Sequence, residues 1–200
     1  MFLENTLKTH EQFGWIEIIC GSMFSGKTEE LIRRLNRAKY AKQKIKVFKP
    51  IIDSRFNKNL VLSHDKNQIE AKSVSKSSDI KIKAKDCDVI GIDEAQFFDN
   101  GIVKICNDLA NEGIRVIVAG LDMDYKGNPF GPMPNLMAVA EYVTKVHAIC
   151  AKSGKLANHS HRISTDKSLI HLGEKESYMA LSRLEFQKII QKNKNRKEKP

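Results

Sequence analysis

Eight consecutive residues, Gly21-Ser22-Met23-Phe24-Ser25-Gly26-Lys27-Thr28, fit the phosphate-cradling pattern of a glycine, four residues, then Gly-Lys-Thr. Each residue type has a chemical reason to be there. Gly21 and Gly26 let the backbone curl without Cβ clashes, so that successive N–H groups turn toward one anion. Lys27 can reach the β and γ phosphates of a nucleotide, and the Thr28 hydroxyl can bind Mg²⁺. A second pair of interest, Asp93-Glu94, closes the apolar run Asp88-Val89-Ile90-Gly91-Ile92. An acid in that place holds Mg²⁺ in phosphate-loop enzymes, and Glu94 could accept the proton of an attacking hydroxyl. By itself an Asp-Glu pair after a strand more often opens a turn. Downstream of a phosphate loop it becomes a candidate site.

These residues need elements that aim them. Trp15-Ile16-Glu17-Ile18-Ile19-Cys20 reads as a buried strand, and Thr28 to Lys44 as a helix with Leu31, Leu35 and Ala38 at three-to-four spacing. Strand, glycine turn and helix N-terminus together point N–H groups and the positive end of the helix dipole at the anion. Further strands are expected at Ile45–Phe48, Asp88–Ile92, Ile114–Ala119 and Val143–His147, and helices at Ser77–Lys85, Gly101–Glu112 and briefly Asn135–Ala140. Strands alternating with helices imply an α/β fold, a mostly parallel sheet with both faces covered. Acids ending a strand beside the phosphate-loop strand then face the same crevice. Ile51–Lys72 is polar and ambiguous, with Asp53, Arg55, His64 and Asp65 standing out. Met123–Pro134 carries Tyr125, Phe130 and three prolines, and reads as a loop that could wall a flat ring.

The chain of 200 residues has 41% hydrophobic and 29% charged residues, a soluble globular composition sufficient for a sizeable core. No stretch reaches the roughly 20 apolar residues of a membrane helix, and Met1–Phe13 shows no signal-peptide pattern, so a cytoplasmic location is expected. Half of the net charge of +10 sits between Lys188 and Pro200, read as a solvated, flexible tail rather than a nucleic-acid site. Cys20, Cys87 and Cys106 lie in or beside apolar stretches, and with Cys150 they form no Cys-x-x-Cys pair. A disulfide framework is not expected.

The phosphate loop, followed by Ile92-Asp93-Glu94-Ala95-Gln96-Phe97-Phe98 and then by Gly120-Leu121-Asp122 with Phe130-Gly131-Pro132-Met133, resembles the cytosolic, RecA-like thymidine kinases. The likeness runs from about Trp15 to Phe186. It implies transfer of the ATP γ phosphate to the 5′-hydroxyl of thymidine or deoxyuridine in nucleotide salvage, with Mg²⁺, in a homotetramer. On this resemblance residues Gly21 to Thr28, Asp93 and Arg55 serve ATP, with Asp53 beside Arg55. Thr28 and Asp93 serve Mg²⁺, and Glu94 is the base. Met23, Phe97, Leu121, Tyr125, Phe130 and Tyr178 surround thymidine, Tyr178 on a loop that closes over the base with main-chain hydrogen bonds.

The resemblance divides the chain into a nucleotide-binding kinase domain (1–149), a lasso-like subdomain (150–187) and the basic tail (188–200). It also exposes a departure. Relatives hold the lasso with a zinc, commonly through two Cys-x-x-Cys-like pairs; here only Cys150 is kept, and Ser153, Ser182 and Glu185 stand where ligands would be. Serine hydroxyls are poor zinc ligands, so no structural zinc is expected. His159, His161 and His171 lie between the pairs with no familiar ligand spacing. Without the metal, the segment from about Ser153 to Ser177 is expected to be mobile, thymidine KM raised or stability lowered. Two other functions fit the same motifs: a nucleotide-binding module without kinase activity, and a RecA-like ATPase using the basic tail on nucleic acid. Glu94 argues against the first.

Overall fold

The computed structural model describes residues 13–53, 60–62, 67–163 and 177–197. Arg55, His64, Asp65 and His171 lie outside these.

The apolar runs form one six-stranded sheet in the order β5-β2-β6-β7-β1-β8. Its strands are β1 (Trp15–Gly21), β2 (Ile45–Pro50), β5 (Lys72–Val74), β6 (Val89–Ile92), β7 (Arg115–Gly120) and β8 (Tyr142–Val146). All five neighbouring pairs are parallel. Alternate residues leave the sheet on opposite faces. Ile16, Ile18, Cys20, Ile90, Ile92, Val116 and Val118 pack with Ile80 of α2 (Ser78–Lys83), Ile102 and Leu109 of α3 (Gly101–Asn111) and Leu136 of α4 (Met133–Val139). Ile19, Val89, Ile117 and Ala119 pack with Leu31, Ile32, Leu35 and Ala38 of α1 (Lys27–Tyr40). Burial on both faces is why the central strands read as continuous apolar runs rather than alternating ones. Each such aliphatic side chain contributes about 1.5–3 kcal/mol of transfer free energy.

Several boundaries differ from the sequence reading. Helix α1 stops at Tyr40 rather than Lys44, because Ala41 caps it and Lys42 turns the chain at φ 59°. Helix α4 starts at Met133, with Pro134 in the first turn, where no backbone donor is needed. The polar stretch Ile51–Lys72 contains an antiparallel pair, β3 (Leu60–Leu62) and β4 (Gln68–Glu70), and leads into edge strand β5. Strands of three residues are too short to show a period.

Past β8 the chain makes a small second layer. β9 (Ala148–Ile149) pairs with β10 (Leu156–Ala157), and β11 (His159–Arg162) with β12 (Tyr178–Leu181), both antiparallel. Thus part of the segment expected to be mobile is paired into strands. Ala148, Cys150, Ala157, Ala180, Leu181 and Phe186 form its core, against which Phe24 of the phosphate loop packs. Helix α5 (Arg183–Lys197) follows and takes in most of the basic stretch read as a tail.

One buried polar network fastens α1 to the sheet. Glu17, 1% exposed on β1, accepts from Arg34 Nη1 of α1 at 2.8 Å, from Arg115 Nε of β7 at 2.7 Å and from Trp15 Nε1 at 2.7 Å. Burial raises the affinity of Glu17 for a proton, but the two guanidiniums and the indole outweigh it and hold its carboxyl below the ordinary value.

Candidate active site

The phosphate loop leaves the carboxyl end of β1, and Asp93 and Glu94 leave that of β6, with β7 between them. Gly21 and Gly26 both stand at positive φ, 149° and 83°, as the curl of the loop requires. Phe24 takes φ 63° without being glycine, held by its packing on the second layer. Lys27 Nζ donates to the Ser22 carbonyl at 2.7 Å, folding its charge over the loop. The Thr28 hydroxyl donates to Asp93 Oδ2 at 3.4 Å, and Asp93 Oδ1 accepts the Glu94 N–H at 3.0 Å. Hydroxyl and carboxylate oxygens are hard donors of the kind Mg²⁺ takes. Glu94 sits in the left-handed region at φ 52°, ψ 41°.

Asp53 follows β2 into this end of the sheet, 6% exposed, with Lys49 Nζ 3.8 Å from its Oδ2. Lys49 itself is almost wholly buried. Asp122, at the end of β7, is buried with Lys145 Nζ of β8 at 2.7 Å from Oδ2, a contact of charges that lacks hydrogen-bond alignment.

The residues expected around a flat ring fall into linked groups. Phe97 and Phe130 meet edge to face, ring centroids 5.7 Å apart. Tyr125 and Tyr178 are joined through Arg162, whose guanidinium lies 3.9 Å from the Tyr125 ring centre and donates through Nη2 to Tyr178 Oη at 2.7 Å. Met23 donates its N–H to Ser160 Oγ at 2.9 Å, and Leu121 donates its N–H to Gln96 Oε1 at 2.9 Å. Tyr178, expected on a closing loop, instead opens strand β12 and is buried; the stretch 164–176 before it lies outside the described residues.

Sequence reasoning missed Gln96, Ser160 and Arg162. Gln96 stood in the signature segment but received no role. Ser160 and Arg162 alternate along a four-residue polar strand, too short for its period to be seen.

At the four positions compared with a zinc set in the sequence, the Cys150 thiol meets the Ser153 hydroxyl and the backbone of Ser182, Lys152 and Ser153. Burial pushes the thiol up, yet these hydrogen bonds together bring it down to about 6. Glu185 pairs with Lys188 at 2.7 Å. His159 stacks on Phe186 with ring centroids 4.4 Å apart, and His161 meets the same ring edge-on. Among the described residues no group of three or more His, Cys, Asp or Glu is arranged to hold a metal ion.

Residues 14–186 match the sequence pattern of the family described as thymidine kinase. The chain belongs to that family. It is similar to the thymidine kinase of Bacteroides fragilis, 51% identical over 196 residues and covering 98% of each chain. It is also similar to those of Bacteroides thetaiotaomicron, 54% identical over 92% of each chain, and of Rhodothermus sp., 55% identical over 87% of this chain and 82% of that one. A solved DNA replication initiation factor overlaps 68% of this chain and 40% of its own at 14% identity, with a TM-score of 0.42. Among the described residues no helix is long and apolar enough to cross a membrane.

Proposed function

We infer that this protein is an ATP-dependent thymidine kinase that moves the γ phosphate of ATP to the 5′-hydroxyl of thymidine or deoxyuridine, giving the nucleoside monophosphate and ADP. The observation that carries the reading is the juxtaposition of Thr28 and Asp93, 3.4 Å apart, with Glu94 next in the chain. A phosphate cradle, a metal-binding oxygen pair and a base are thereby gathered at one end of one sheet.

Gly21 to Thr28 bind the phosphate chain with backbone N–H groups, and Lys27 swings from the Ser22 carbonyl to the phosphates. Thr28 and Asp93 would hold Mg²⁺, and Asp53, with Arg55 on the family resemblance, would serve the phosphates. Mg²⁺ would supply charge neutralisation on the transferred group, which a loose phosphoryl transition state needs more than covalent help. Glu94 takes the proton of the 5′-hydroxyl as the new O–P bond forms and the bond to the ADP oxygen breaks. Met23, Phe97, Leu121, Tyr125, Phe130 and Tyr178 enclose the base by apolar contact, leaving polar recognition to main-chain groups.

The lasso works without zinc in this reading. Support comes from the donor set at the four positions: one thiol, two hydroxyls and a carboxylate already paired with Lys188. A homotetramer in the cytoplasm completes the proposal. Exposed Tyr142 and Val143 on edge strand β8 offer apolar surface for assembly, which sedimentation would measure.

The deciding experiment is thymidine-dependent release of ADP from ATP and Mg²⁺, on protein whose zinc content is measured in the same sample. Turnover at a zinc content far below one per chain supports both parts. Absence of turnover with ATP still bound would replace the kinase by a nucleotide-binding module.

A further inference from the structure

Gln96 lies in the 3₁₀ turn Ala95–Phe97 and is 3% exposed. Both ends of its side-chain amide are engaged. Nε2 donates to Glu94 Oε2 at 2.5 Å, and Oε1 accepts the Leu121 N–H at 2.9 Å. A carboxylate needs a donor and an N–H needs an acceptor, so only this orientation of the amide satisfies both neighbours. The bridge spans the ends of two strands, β6 with the base and β7 with a residue of the nucleoside wall.

The surrounding backbone is shaped to admit it. A Cβ on Gly120 would lie 3.0 Å from Gln96 Oε1 and 2.6 Å from Met133 Sδ. A Cβ on Gly131, at φ 51°, would lie 2.4 Å from the Gln96 carbonyl oxygen. Side chains are thus missing at the two places where they would displace this turn. Glu94 meanwhile holds a left-handed backbone that a non-glycine residue adopts only when its surroundings impose it.

We propose that Gln96 is a positioning residue for phosphoryl transfer: its amide aims the Glu94 carboxylate, and through Leu121 it couples the base to the wall of the nucleoside pocket. A charge-assisted N–H···O bond is stronger than a neutral one, so it fixes the carboxylate's orientation. This role rests on the reading of Glu94 as the base.

The test compares kcat and thymidine KM for wild type, Gln96→Glu, Gln96→Leu, Glu94→Gln and the double variant Glu94→Gln/Gln96→Leu, with ATP affinity and melting temperature measured on each. Gln96→Glu keeps the acceptor for Leu121 but sets a second carboxylate beside Glu94. The Glu94 carboxylate then loses its donor, and kcat falls by roughly 10-fold or more with ATP affinity little changed. Gln96→Leu lowers kcat by roughly 10- to 100-fold with ATP affinity within about twofold. The double variant is no slower than Glu94→Gln, because a residue that works through the base has nothing left to position. A wild-type kcat in Gln96→Glu, or losses that multiply in the double variant, overturns the role of Gln96 while Glu94→Gln remains slow. An undiminished kcat in Glu94→Gln removes the base itself, and this role with it.

Discussion

The Met23 N–H, in the phosphate loop, donates to the hydroxyl of Ser160, 137 residues later in strand β11, at 2.9 Å. With Ser22 Oγ donating to the Ala157 carbonyl at 3.2 Å, it stitches the second layer onto the glycine-punctuated loop after β1. Two residues beyond Ser160, Arg162 links Tyr125 to Tyr178, so one short strand reaches both that loop and the proposed nucleoside wall.

Ser160→Ala removes the acceptor of the Met23 N–H, at a cost of about 1 kcal/mol. The expected result is a thymidine KM roughly fivefold higher with kcat little changed, while Ser160→Thr, which keeps the hydroxyl, stays near wild type. Steady-state kinetics at saturating ATP reads this directly. Equal KM in all three proteins would mean that the stitch does not shape the pocket.

Asp93→Asn keeps the size of the side chain that meets Thr28 but removes its charge. The expectation is a fall in kcat on the order of 10²-fold, with the concentration of Mg²⁺ needed for half-maximal rate increased. A Mg²⁺ titration of ADP release checks it. Wild-type Mg²⁺ dependence would take Asp93 out of the metal site.

Glu17 is buried between Arg34 and Arg115, so Glu17→Ala leaves two guanidiniums without their carboxylate. Loss of one partner from such a buried set destabilises by about 3–5 kcal/mol. The folded carboxyl binds its proton less tightly than in the unfolded chain, so its contribution is present above the unfolded value of 4.5 and lost as pH falls through the lower folded one. Urea midpoints at pH 7 and in acid, for wild type and variant, should therefore converge as pH drops.

Cys150 titrates near 6 in the folded protein against an ordinary value of 9.0. The unfolded chain holds the thiol proton up to about 9, so stability from this group rises between pH 6 and 9 and is lost as pH falls through 6. Cys150→Ala should flatten that rise in a series of urea midpoints, with little difference from wild type below pH 6. Parallel curves across the range would mean that the thiolate does not help to hold the second layer.

The residues proposed for fixed chemical tasks were legible from the chain alone. Gly21 to Thr28 declare a phosphate loop because the curl, the cation and the metal-binding hydroxyl must be contiguous, and Asp93-Glu94 declare themselves by ending an apolar run. The central strands were legible for a related reason: burial on both faces demands unbroken apolar runs such as Val116–Ala119. The short strands β3, β4, β5 and β11 were not, since three or four residues carry no period and their pairing is decided by distant backbone.

What sequence by itself determined, then, was the local chemistry of the loop and the alternation of strand and helix that makes a parallel sheet. Tertiary structure alone decided that Gln96 lies between Glu94 and Leu121, that Ser160 meets Met23, that Arg162 joins Tyr125 to Tyr178, and that Glu17 faces two arginines. Most of these partners come from separate strands and loops. A hydrogen bond between residues 25 to 137 positions apart leaves no spacing in the sequence, because its geometry exists only once β6, β7 and β1 lie side by side and the β11–β12 pair is packed onto the loop after β1.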